Sequence, residues 1–118
     1  MSQKNEIKIT KQDSLTVLDI QGDVTILSEP YLNEAYKGVH ELQGAKVLLK
    51  FDTNAYINSG GIALLIQLLA QARKNNQQVG ITGLSPHFKK IFTMVGITKF
   101  AKIHDSLEEA VTAMSAGS

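Results

Sequence analysis

The sequence predicts an α/β fold: a mixed, mostly parallel sheet of four to five strands, opened by an N-terminal hairpin and packed with about four helices. Lys46-Val47-Leu48-Leu49-Lys50-Phe51 is almost continuously apolar, the pattern of a strand buried on both faces. A long helical stripe follows it after one short loop. Beyond an opening pair of strand patterns, strands and helices alternate in the order ββαβαβαβα, which calls for parallel strands joined by crossover helices.

Each element has its own signal. Ile7 and Ile9 alternate with Lys8 and Thr10, a short edge strand. Gln12-Asp13-Ser14 is a turn. Leu15, Val17 and, less cleanly, Ile20 alternate in the second arm of the hairpin, which Gly22-Asp23 closes. Ser28 reads as an N-cap, with Glu29 favouring the positive end of the helix dipole and Pro30 in the first turn. Tyr31, Leu32, Ala35, Tyr36 and Val39 continue that helix, and Gly44 ends it. The buried strand is followed by a helix from about Gly60 to Lys74. There Ile62, Leu65, Ile66, Leu69 and Ala72 share the sheet-facing side, opposite Gln67, Gln71 and Lys74. Leu64 falls on the polar side, where it meets a neighbouring helix or belongs to a partner surface. Asn75-Asn76 breaks the helix and Gln78–Thr82 is a strand. Ser85-Pro86 caps a helix carrying Phe88, Ile91, Phe92 and Val95, which stops at Gly96. A strand near residues 100–103 precedes a last helix, capped by Asp105 or Ser106, with Leu107, Ala110, Val111 and Met114. One domain spans residues 1–118, with 115–118 a frayed tail.

Bulk properties narrow the function classes. The chain has 118 residues, 43% apolar and 19% charged, with a formal net charge of +1. That balance suits a globular domain with a single core and lacks the concentrated basic surface of a nucleic-acid binder. Lys89-Lys90, with Lys99 and Lys102 downstream, reads as solvated surface. No cysteine is present, which removes disulfides, thiolate nucleophiles and cysteine metal sites. The three histidines, His40, His87 and His104, lack metal-ligand spacing. Residues 1–6 have no apolar signal core. Residues 62–70, the longest apolar run, are interrupted by Gln67 and too short to span a bilayer. The expectation is a cytoplasmic protein without membrane insertion, metal or cofactor.

The most informative segment is Asn58-Ser59-Gly60-Gly61. It puts a hydroxyl at a helix start, where backbone N–H groups lack intrahelical partners and the dipole favours negative charge. Gly60-Gly61 fits neither phosphate-loop frame, so close packing of the helix start is the alternative. Ile57 stands where a hydrolase elbow would need glycine, and no base-and-acid pair supports a nucleophile. No catalytic residue is expected. Two readings remain for Ser59, helix cap and phosphoacceptor, and residue chemistry alone favours the cap.

The opening hairpin, Gly22-Asp23-Val24-Thr25 and Phe51-Asp52-Thr53-Asn54-Ala55-Tyr56-Ile57-Asn58-Ser59-Gly60-Gly61-Ile62 together resemble a STAS domain of the bacterial anti-anti-sigma type. Gly83-Leu84-Ser85-Pro86 and Phe92-Thr93-Met94-Val95-Gly96-Ile97 add to the likeness, which covers nearly the whole chain. The resemblance implies an anti-sigma factor antagonist. Its partner would be an anti-sigma factor that is also a serine kinase of the histidine-kinase-like ATPase fold, captured by the unphosphorylated form. Phosphorylation at Ser59 would release it, and a PP2C-type phosphatase would reset the switch. The expected partner-binding residues are Gly22, Asp23, Val24, Thr25, Asn54, Tyr56, Ile57, Asn58, Gly60, Gly61 and Leu64. Ser59 is expected in the first helical turn, open to solvent, beside residues 22–25. Two positions depart from the family pattern: Asn58 replaces its usual aspartate, and Thr25 an acidic residue. The alternative is a non-phosphorylated STAS scaffold in a stress-sensing assembly or a transporter. A homodimer is left open.

Overall fold

In the computed structural model, which describes residues 5–12, 14–40 and 46–116, five strands form one sheet in the order β1-β2-β3-β4-β5. The strands are β1 (Glu6–Gln12), β2 (Leu15–Gln21), β3 (Lys46–Phe51), β4 (Gln78–Thr82) and β5 (Lys102–Ile103). The helices are α1 (Glu29–His40), α2 (Ser59–Lys74), α3 (Pro86–Met94) and α4 (Leu107–Ala116). β1 pairs antiparallel with β2, and every later pairing is parallel. The expected turn residue Asp13, the expected helix end at Gly44 and the tail residues Gly117 and Ser118 lie outside the described residues, as does the His40 side chain.

β2 and β3 are buried on both faces, which explains their broken alternation. Leu18, Ile20, Val47, Leu49 and Phe51 join α1, α2 and α3 in the larger core. Leu15, Val17 and Leu48 face the other way and pack with Ala110, Val111 and Met114 of α4. Three helices therefore cover one face of the sheet and a single helix covers the other. The Lys46 ammonium donates to the Met114 carbonyl at 2.7 Å, satisfying one of the orphan acceptors at the end of α4.

The buried side of α2 is rotated from the sequence expectation. Gly61, Leu64, Leu65, Leu68, Leu69 and Ala72 are buried, while Ile62 and Ile66 are only half-buried. The cause is non-local: α2 packs on α1 as well as on the sheet. Leu64 and Leu68 line a cleft of about 90 Å³ with Leu32 and Tyr36 of α1. Tyr36 donates through its hydroxyl to Gln77 Oε1 at 2.6 Å, and Gln77 Nε2 donates to the Val39 carbonyl at 2.6 Å. These bonds tie α1 to the chain just beyond α2. Burial raises the Tyr36 pKa, with the Asn75 side chain opposing it.

Three boundaries also differ. Ser28 is not the cap of α1; it is the last residue of a 3-10 turn, Ile26–Ser28, that runs directly into the helix and is capped by Thr25. α3 ends at Met94, and its Val95 is exposed rather than part of the apolar stripe. Gly96 follows with φ 88°. β5 is only two residues long. Ser106 caps α4 by accepting from Glu109 N–H at 3.1 Å.

Candidate functional site

The site is assembled from two loops that leave the C-terminal ends of β2 and β3. These strands are adjacent and parallel, so their loops emerge on the same sheet edge. Such edges are where open α/β sheets present ligand and partner sites. Gly22 turns the chain at φ 89°, a conformation that L side chains rarely adopt. Past it, Val24 and Ile57 form a parallel bridge beyond the named strands. Val24 N–H donates to the Tyr56 carbonyl at 2.9 Å, and Asn58 N–H to the Val24 carbonyl at 3.1 Å. The Asp23 carboxylate accepts from Tyr56 N–H at 2.9 Å. Asn5 Nδ2 donates to the Asp23 carbonyl at 2.9 Å. The loops thus form one hydrogen-bonded unit.

Within the second loop, Asp52 Oδ1 accepts from Asn54 N–H at 3.0 Å and the Asp52 carbonyl from Ala55 N–H at 2.9 Å. This turn leaves Tyr56 exposed, its ring edge-on to Phe88 with centroids 6.0 Å apart. Asn58 is the N-cap of α2, its Oδ1 accepting from Gly61 N–H at 2.9 Å. Ser59 is the first residue of the helix and is exposed. Its hydroxyl is not used as the cap, because the preceding amide has that position. Gly61 must be small: a Cβ there would run into the Val24 carbonyl oxygen.

The expected contact residues divide by burial. Asp23, Asn54 and Tyr56 are exposed, and Gly22, Thr25, Asn58 and Gly60 are half-buried. Val24, Ile57, Gly61 and Leu64 are buried. The first three hold the loops together, and Leu64, at 7% exposure, packs in the core beside α1. Their side chains are closed to a partner in this conformation. Sequence reasoning missed Ile26 and Leu27, each 57% exposed on the 3-10 turn. The available signal was two large apolar residues, between the hydroxyl pair Thr25 and Ser28, that fall ahead of the helical stripe. Ile26 adjoins Gly60, the residue after the serine: its Cβ lies 3.2 Å from where a Cβ on Gly60 would stand.

The arrangement presents a reachable hydroxyl in the first turn of a sixteen-residue helix, on a backbone braced by the bonds between the two loops. Among the described residues, no base-and-acid pair is hydrogen-bonded to Ser59. The buried His104 ring lies instead against Gly80 of β4; its pKa is lowered by burial and then by Lys102, with Glu109 and Asp105 opposing. Among the described residues, no three His, Asp or Glu side chains group as metal ligands, and no helix is long and apolar enough to cross a membrane.

Comparison with known proteins agrees with this architecture. The family model for the STAS domain matches residues 6–110. The chain is 20% identical over 102 residues to the anti-sigma-B factor antagonist of Staphylococcus aureus, an overlap of 86% of this chain and 94% of that protein. Its fold is similar to the crystal structure of an anti-sigma factor antagonist from Mycobacterium paratuberculosis, with a TM-score of 0.77 at 17% identity over 93% of both chains. It is also similar to the Bacillus cell fate determinant SpoIIAA in its phosphorylated form, with a TM-score of 0.63 at 14% identity over 92% of this chain and 99% of that one.

Proposed function

We propose that this chain, which belongs to the STAS domain family, acts as an anti-sigma factor antagonist switched by phosphorylation at Ser59. Unmodified, it captures an anti-sigma factor that is also a serine kinase of the histidine-kinase-like ATPase fold. Modified, it lets that partner go, and a PP2C-type phosphatase restores binding. It works in the cytoplasm and catalyses no reaction itself. The observation that carries the reading is the division of labour at the start of α2: Asn58 caps the helix and Ser59 stands exposed beside it. The relatives named as antagonists support the choice of circuit.

The switch is electrostatic and steric. A phosphate adds roughly −1.5 to −2 charges at neutral pH. Ser59 precedes Gly60, beside which Ile26 stands, and Leu27 and Tyr56 are exposed on the same two hydrogen-bonded loops, so a partner packed there must desolvate that anion. A penalty of about 3 kcal/mol lowers affinity over a hundredfold. Asn58 in place of an aspartate keeps the capping oxygen and omits one negative charge beside the acceptor.

The test uses each purified kinase-fold anti-sigma protein of the genome encoding this chain. Intact mass after incubation with ATP reads modification, and calorimetry reads binding. Wild type should gain one phosphate, mapped to Ser59. Ser59→Ala should bind and stay unmodified, and Ser59→Asp should bind more weakly. Asn58→Asp asks whether the missing charge limits modification. If wild type stays unmodified and Ser59→Asp binds as tightly as wild type, the switch is wrong. A non-phosphorylated scaffold in a stress-sensing assembly or a transporter then describes the chain better.

A further inference from the structure

We propose that the Ser59 edge fits an apolar cleft bordered by lysine or arginine side chains on its protein partner, with Ile26 and Leu27 as the residues that enter it. The partner's identity rests on the functional reading above; its chemistry follows from the surface itself. Isolated exposed apolar residues need no explanation, but contiguous ones mark contacts. Ile26 and Leu27 are each 57% exposed and Tyr56 is 59% exposed. They share one braced unit. Thr25 Oγ1 accepts from Leu27 N–H at 3.1 Å and Ser28 Oγ accepts from Thr25 N–H at 3.0 Å. Val24, next to this turn, is bonded through its N–H to the Tyr56 carbonyl. The apolar pair is therefore held out on a fixed turn.

Charge selects the partner. Residues 21–36 and 51–72, which supply both loops, α1's first turns and most of α2, contain Asp23, Glu29, Glu34 and Asp52 and no lysine or arginine. The chain's 12 cations lie outside these segments; Lys89 and Lys90 follow Phe88, on which Tyr56 packs, and Lys89 is already paired with Asp105. Lys50 pairs with Asp19 and Lys89 with Asp105; neither pair involves Glu29, Glu34 or Asp52. A partner covering this edge must supply cations or leave carboxylates against its own surface, and complementary potentials set both encounter rate and specificity. The same carboxylates disfavour nucleic acid and anionic lipid.

Display of a random peptide library on the purified wild-type chain tests this without knowledge of the kinase. The counter-selecting variant is the Ile26→Ser/Leu27→Ser double substitution, checked for unchanged thermal melting. Recovered peptides should combine Lys or Arg with large apolar residues, and should bind wild type about tenfold or more tightly than the double variant. Glu29→Gln with Asp52→Asn, which keeps the oxygen that accepts from Asn54, should weaken them about threefold at low salt. That difference should vanish near ~0.5 M salt. A library that yields no binder, peptides without basic enrichment, or binding indifferent to Ile26 and Leu27 overturns the proposal. Kinase binding measured alongside separates the two claims. Basic apolar peptides without any kinase binding leave this inference standing and remove the switch. A kinase that binds both variants like wild type does the reverse.

Discussion

Ser59 and Ser85 both begin helices that follow parallel strands, yet their hydroxyls have different uses. Ser85 is itself the N-cap of α3, half-buried, its Oγ accepting from Phe88 N–H at 3.3 Å. Ser59 comes one position later relative to its helix, because Asn58 occupies the cap and accepts from Gly61 N–H. A serine at a helix start is structural when it is the cap and chemically available when its neighbour is. The shift of one residue also turns Ser59 to solvent.

The strongest way to break this comparison is to remove the packing that brings the α2 start against Val24. Gly61→Ala puts a Cβ into the Val24 carbonyl, and should cost about 3 kcal/mol in urea unfolding as the loops separate. A variant as stable as wild type would show that the close approach is not required. Next come the caps. Asn58→Ala and Ser85→Ala should each cost about 1 kcal/mol, since each orphans an amide of the first turn. If Ser59 took over as the cap in Asn58→Ala, the loss would be smaller, and the amide-exchange pattern at Gly61 would report it.

A smaller, pH-dependent effect should arise away from this edge. His104 has its pKa held below the ordinary 6.5 by burial, then Lys102. The unfolded chain therefore takes up a proton more readily than the folded one. Stability should be fully present above 6.5 and decline as pH falls through the imidazole range. His104→Gln should flatten that part of the curve while Ser59→Ala should leave it unchanged. The smallest effect sharpens the comparison most: Ser59→Ala should alter stability by no more than ~0.5 kcal/mol, below the cost of Ser85→Ala. Equal losses in the two serine variants would make Ser59 structural after all.

Much of the fold could be read from local pattern. The apolar run 46–51, the Ser85-Pro86 start and the alternation after the hairpin carry their own periodicity and caps. What escaped depends on contacts distant in sequence. The buried side of α2 includes Leu64 and Leu68 because α1 packs there, which no window around α2 contains. Val24 and Ile57, expected among the partner-binding residues, are buried because a bridge joins their segments, 33 positions apart. Ile26 and Leu27 escaped because a cap one turn earlier than Ser28 makes a 3-10 turn, and that turn decides where they point. Ser59's position at a helix start was legible; whether it or Asn58 served as cap was settled by a single hydrogen bond.

The Val24–Ile57 bridge extends the pairing of β2 and β3 past its last register pair, Ile20 with Phe51. Two loops that would otherwise wander are joined by the same kind of ladder as the strands below them. Ordering a residue costs about 1–2 kcal/mol of backbone entropy, and here that ordering accompanies folding rather than binding. On the proposed reading, the edge is therefore already ordered, through the bonds that join its two loops, before a partner meets it. A phosphate added at Ser59, as proposed, would then be read where it is written, as a change of ink rather than of shape.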